Sequence, residues 1–105
     1  MTFEELSTAR YTQRSYDSKP VEDEKIQKIL QAGRVAPTAK NNQPQKVYVV
    51  HSPAAMDKLR ALTPCHYNAP LAMIICYDKN QEWHNPTDET ITSGVEDASI
   101  VAKHM

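Results

Sequence analysis

Two short stretches hold the residues best suited to chemistry. In RYTQRSY, Arg10 and Arg14 flank the hydroxyl of Thr12, placing two permanent cations and a neutral donor within a few residues. Such a group suits an anion, because a guanidinium makes bidentate hydrogen bonds to phosphate or to the polar edge of a heterocycle. It equally suits a solvated helix end, with Arg10 facing the negative helix terminus and Arg14 paired with Asp17 or Glu22. In APTAKNNQPQ, Asn41, Asn42 and Gln43 each carry both a donor and an acceptor, and Pro37 and Pro44 stiffen the chain around them. This is either a polar shelf that reads a ligand with mixed edges or an ordinary turn.

Other reactive groups form no recognisable site. Cys65 and Cys76 are too far apart for a CxxC motif, and four scattered histidines (His51, His66, His84, His104) give no HExxH pattern and no zinc cluster. Cys65 adjoins His66 and Tyr67, yet neighbouring residues rarely face one another as a nucleophile and its base. Lys+Arg 12 against Asp+Glu 13 leaves a formal charge of -1, which gives no electrostatic reason to expect nucleic acid or an anionic membrane as partner. The expected partner is a small molecule. The apolar run Leu71–Cys76 is far short of the roughly 20 residues that span a bilayer, and the acidic start MTFEE is no secretory n-region. The sequence therefore reads as cytosolic, and its 105 residues as a single domain.

The elements that must position these groups follow from periodicity and caps. Thr2 with Glu5 forms a capping box for a helix up to about Ala9, with Phe3 and Leu6 on one side. A second helix starts near Pro20 with Glu22, Asp23 and Glu24 in its first turn, and its apolar stripe is Ile26, Ile29, Leu30 and Gly33. KVYVV reads as a strand. SPAAMDKLRAL reads as a helix capped by Ser52, with Met56, Leu59 and Leu62 inward. PLAMIICYD reads as a strand buried on both faces, since its apolar residues do not alternate. Residues 79–94 read as a surface loop of limited order, in which Trp83 is a packing residue or loop anchor. VEDASIVAKHM reads as a helix with Ala98, Val101, Ala102 and Met105 on its apolar side, and the pattern stops with no terminating signal.

The succession RYTQRSYDSKPV, ILQAGRVAP, TAKNNQP, KVYVV resembles the N-terminal half of the flavin-dependent nitroreductase family. Arg10, Thr12, Arg14, Tyr16, Pro20 and Val21 match a first family motif, R-x-S-x-R/K followed by an aromatic residue and P-V. Ala36, Pro37, Thr38, Asn41, Gln43 and Pro44 match a second, A-P-S-x-x-N-x-Q-P-W. Both Ser positions are Thr here, which keeps the hydroxyl, and Gln45 replaces the usual Trp. NAPLAMIICYD resembles the family's next strand and EDASIVAKHM the start of its central helix.

This resemblance implies an α+β fold, a nitroreductase-like α/β sandwich that is incomplete in this chain, with residues 1–105 forming the N-terminal part of one domain truncated inside a helix. It implies an intertwined homodimer with FMN at the subunit interface. Arg10 and Thr12 would hold the FMN phosphate and ribityl chain, Tyr11 would add backbone contacts, and Arg14 would approach the N1/C2 carbonyl edge of the isoalloxazine. Pro37, Thr38 and Asn41 of the partner copy would pack against the flavin, with Asn68 near the ring edge. The implied chemistry is ping-pong: NADH or NADPH reduces the flavin by hydride transfer and leaves, and a nitroaromatic or quinone acceptor is then reduced, with no catalytic side chain and no metal. Two alternatives remain at this level: a truncated dimerisation or interaction domain without flavin, and a simple phosphate-binding module resting on Arg10 and Arg14.

Overall fold

The computed structural model describes all residues 1–105. Helix α1 spans Phe3–Ala9 and opens with the expected capping box: Glu5 N–H donates to Thr2 Oγ1 at 3.1 Å and Thr2 N–H to Glu5 Oε2 at 2.6 Å. It buries no residue, and Phe3 and Leu6 stay exposed. Helix α2 spans Asp23–Arg34, so it begins three residues after Pro20. Its stripe falls as expected, with Ile26 and Gly33 buried and Ile29 and Leu30 half-buried.

Strands β1 (Gln45–Val50) and β2 (Ala72–Tyr77) pair antiparallel, from Gln45 opposite Tyr77 to Val50 opposite Ala72. Between them lies α3, Pro53–Leu62, capped by Ser52 Oγ accepting from Ala55 N–H at 3.2 Å. Met56 is buried, but Leu62 is 82% exposed and does not face inward. Six residues at about 100° each put Leu62 roughly 120° round the helix from Met56, beyond the buried stripe.

Helix α4 spans Gly94–His104 and crosses the sheet and α2. Val101 is wholly buried at its centre, and Gly33 of α2 lies so close that an added Cβ would stand 3.4 Å from Val101 Cγ1 and 2.8 Å from Met105 Sδ. The buried hydrophobic side chains are few: Ile26, Ala36, Met56 and Val101. The radius of gyration, 16.0 Å, exceeds the roughly 13 Å of a close-packed domain of this length.

Two further expectations need correction. Strand β2 is not buried on both faces: Ile74 is 44% exposed, and its cross-strand partner Tyr48 is open on the same face beneath Lys46 Nζ, 5.2 Å from the ring centroid. One helical layer, α4, covers the opposite face, at Tyr77, and the continuous apolar run does not reveal how many layers surround it. Residues 79–94 are well organised instead of loosely ordered. His84 bridges to Thr92, Ser93 N–H donates to Trp83 O at 3.1 Å, and Asn85 Oδ1 accepts from the backbone of Thr87 and Asp88 at 2.8 and 3.1 Å. Short polar side chains here satisfy backbone groups that a helix or sheet would otherwise pair. No helix is long and apolar enough to cross a membrane.

Candidate functional site

The polar shelf is an arch from Pro37 to Pro44 between α2 and β1. Lys40, Asn41 and Gln43 all have positive φ, at 56°, 55° and 53°. Left-handed backbone at a residue other than glycine costs about 1–3 kcal/mol and persists where surroundings over-determine it, with Asn the most tolerant type. Here both feet of the arch are tied. Ala39 N–H donates to Asp97 Oδ1 at 2.9 Å, and Pro44 O accepts from Asp78 N–H at 2.8 Å. Across the arch, Gln43 N–H donates to Thr38 Oγ1 at 3.1 Å.

Side chains along the arch then orient one another. Gln45 Nε2 donates to Gln43 Oε1 at 2.7 Å, and Gln43 Nε2 donates to Asn41 Oδ1 at 2.6 Å and to Thr38 Oγ1 at 3.4 Å. Both lone pairs of the Thr38 hydroxyl and one acceptor site of Asn41 are thus engaged. What stays free is the Thr38 O–H and the Asn41 NH2, so the arch presents donors to whatever lies above it.

The anchor beneath it is Asp97, 1% exposed, whose second oxygen accepts from the Ser93 hydroxyl at 2.7 Å. Ser93 Oγ in turn accepts from Trp83 N–H at 3.2 Å, so Trp83 is a loop anchor through its backbone. Sequence reasoning missed Asp97 and Ser93. A signal was present, because Asp97, Val101 and Met105 are spaced i, i+4, i+8, which places an acid on the apolar stripe of α4. An acid in that position needs a buried partner.

The basic stretch is exposed on the surface. Arg10 closes α1, its N–H donating to Leu6 O at 3.0 Å, and residues 11–14 follow exposed and without regular secondary structure. The side chains of Arg10, Tyr11, Thr12 and Arg14 make no hydrogen bond or ion pair within the chain: Asp17 accepts from Lys19 N–H, and Glu22 pairs with Lys25 at 3.8 Å. The alternative pairing of Arg14 with Asp17 or Glu22 is therefore absent. Tyr16 N–H donates to Tyr67 O at 3.2 Å, which carries the end of this stretch to the tight turn at Tyr67 and Asn68, φ 47° and 59°. Asn68 is exposed, its N–H held by His66 Nδ1 at 3.0 Å. No hydrogen bond links the 10–14 stretch to the 37–43 arch within one chain. Arg10 also lines a cleft of about 780 Å3 between α1 and the end of α4, with Phe3, Leu6, Ile100, Lys103 and Met105.

Residues 8–70 match the family model described as the nitroreductase family. The chain belongs to this family. That span contains both motifs and Asn68. Among individual nitroreductase-like relatives, a protein of Archaeoglobus fulgidus provisionally named NADH dehydrogenase/NAD(P)H nitroreductase is 37% identical over 81 residues, covering 71% of this chain and 47% of the relative. The crystal structure of a nitroreductase family protein from Clostridium difficile 630 superposes with a TM-score of 0.92 at 39% identity, covering 99% of this chain and 59% of the other. An FMN-dependent nitroreductase from Clostridium difficile R20291 superposes at 0.69 with 33% identity, covering 91% of this chain and 53% of the other. The chain thus spans about half the length of the curated relative, and the α+β nitroreductase fold is shared over that part.

The residues present fit a flavin nucleotide in their chemistry. Two unpaired guanidinium groups and a free hydroxyl suit a phosphate and a polar ring edge. A pinned row of neutral donors suits the acceptor atoms of a heterocycle.

Proposed function

We propose that this chain supplies part of the FMN site of an NAD(P)H-dependent oxidoreductase that works as a homodimer and reduces a small electron-poor acceptor, a nitroaromatic or quinone, in a ping-pong cycle. The 105 residues would form the N-terminal part of one nitroreductase-like domain. The observation that carries this reading is the pairing, in one family member, of a basic stretch without internal partners and a strained arch of free donors.

When bound, FMN supplies the two-electron relay between nicotinamide and acceptor. Arg10 and Thr12 would hold its phosphate and ribityl chain, with backbone contacts from Tyr11. Arg14 would place a fixed cation at the N1/C2 carbonyl edge, where it offsets accumulating negative charge. Thr38 and Asn41 of the partner copy would donate to the ring while Pro37 packs against it, and Asn68 would stand near the ring edge. No side chain is needed as nucleophile or proton shuttle.

The test is the absorbance spectrum of the purified 105-residue protein after incubation with excess FMN and desalting. Retained flavin bands that disappear in Arg10→Ala/Arg14→Ala are expected. A folded wild-type protein that emerges colourless refutes the flavin reading for this chain and favours the interaction-domain alternative.

A further inference from the structure

We propose that Asp97 is the positioning residue of the ligand-facing arch, fixing the 37–43 backbone from α4 without touching the ligand itself. The identity of that ligand as FMN rests on the reading above.

Asp97 is 1% exposed and belongs to none of the ion pairs, so hydrogen bonds must offset the burial of its charge. It has two, and each points to a different structural unit. Oδ2 takes the hydroxyl of Ser93, one turn back at the start of its own helix. Oδ1 takes the N–H of Ala39, 58 residues away in the arch. A hydrogen bond to a carboxylate is roughly twice as strong as one between neutral groups. It falls immediately before Lys40 and Asn41, two of the three strained residues.

The platform under Asp97 is closely packed and hydrogen-bonded. Gly94 is packed so closely that a Cβ there would collide with Glu82 Oε2 and the Tyr77 ring, which sets the first turn of α4 against β2. Ser93 is further held by Trp83 N–H. The other foot of the arch, Pro44, hangs on Asp78 just beyond β2. The sheet therefore fixes the Pro44 foot, and Asp97 alone ties Ala39 to α4 by a hydrogen bond. Removing Asp97 should free the Pro37–Asn41 limb, carrying Thr38 and Asn41, and leave the sheet intact.

Backbone amide exchange by NMR and FMN titration followed by flavin fluorescence test this on the 105-residue chain. In Asp97→Ala, exchange at Ala39, Asn41 and Gln43 should accelerate by about tenfold or more, with β1 and β2 amides unchanged, and FMN affinity should fall by about tenfold. Asp97→Asn keeps an acceptor for Ala39 and should restore both quantities to within about threefold of wild type, which loss of general stability would not do. Unchanged arch exchange, or equal acceleration in arch and sheet, overturns the proposal. A freed arch with undiminished FMN affinity shows that the arch does not face the flavin and also overturns it. If Asp97→Ala does not fold, Ser93→Ala, which removes only the hydroxyl steadying Oδ2, must show the same selective acceleration or the proposal fails. If wild type binds no FMN, the flavin reading is what fails, and the exchange contrast alone decides whether Asp97 positions the arch.

Discussion

Replacing either glycine by alanine adds the same single methyl group, yet the two substitutions should differ sharply. At Gly94 the new Cβ would collide with Glu82 Oε2 and with two ring carbons of Tyr77, far inside the ordinary contact of about 3.5–4.0 Å. The ring is rigid and sits in β2, so it cannot withdraw without shifting backbone, whereas Glu82 Oε2 is the end of a flexible side chain and can turn aside. Overpacking of this kind costs about 1–3 kcal/mol, and the upper figure applies because the Tyr77 ring is struck at two of its carbons and is held in the sheet. For a domain of this size, about 3 kcal/mol corresponds to a melting temperature lower by roughly 12–24 °C. At Gly33 the obstacle is the thioether of Met105, 2.8 Å away at the end of a flexible side chain. Its displacement is offset by the helix-propensity gain of alanine over glycine, about 0.5–1 kcal/mol, so Gly33→Ala should melt within about 5 °C of wild type. Thermal unfolding followed by circular dichroism, with urea titration at fixed temperature, measures both. In a Tyr77→Ala background the Gly94→Ala penalty should shrink, since the two sites share the clash. A Gly94→Ala protein as stable as wild type, or a Gly33→Ala protein that falls as far, would refute the packing argument.

Other expectations are more local. Thr38→Val removes the acceptor of Gln43 N–H and should lower stability by about 1–2 kcal/mol, whereas Thr38→Ser should not, as urea midpoints will show. The Asp88 carboxyl is held below its ordinary value of 3.8, first by the Thr90 hydroxyl at 2.6 Å and then by the Thr90 N–H at 3.0 Å. Its contribution to the loop is therefore present above the unfolded value and is lost as pH falls through the lower folded value. A carbon-detected NMR titration should find that low value in wild type and a higher one in Thr90→Val. Thr2→Ala breaks the capping box and should destabilise α1 by about 1 kcal/mol, visible as faster amide exchange at Glu5 and Leu6. The main melting transition should not move, since α1 buries nothing.

What could be read from sequence was whatever neighbouring residues decide. Thr2 with Glu5 and Ser52 before Pro53 cap helices through bonds spanning three residues, and the α2 stripe at Ile26, Ile29, Leu30 and Gly33 follows from helical period alone. Leu62 misled because a pattern of threes slips round a helix of 3.6 residues per turn. The exposure of β2 was not legible, since an apolar run cannot count the layers packed on it. In the candidate site, the residue types at Arg10, Thr12, Arg14, Thr38 and Asn41 were legible. The freedom of the two arginines from Asp17 and Glu22, and the bond from Asp97 to Ala39, depend on the folded path between distant segments.

The bond from Asp97 to Ala39 also fixes an order of events. Because its two ends lie 58 residues apart, the arch emerges well before its anchor during synthesis. At about 5–20 residues per second, that interval is roughly 3–12 s. Throughout it, Lys40, Asn41 and Gln43 have no reason to leave ordinary backbone conformations. The α2 helix and its capped start can form from local contacts as they appear, while the arch must wait for α4 to dock. The segment proposed to meet the ligand is thus among the last parts of this chain to take its shape.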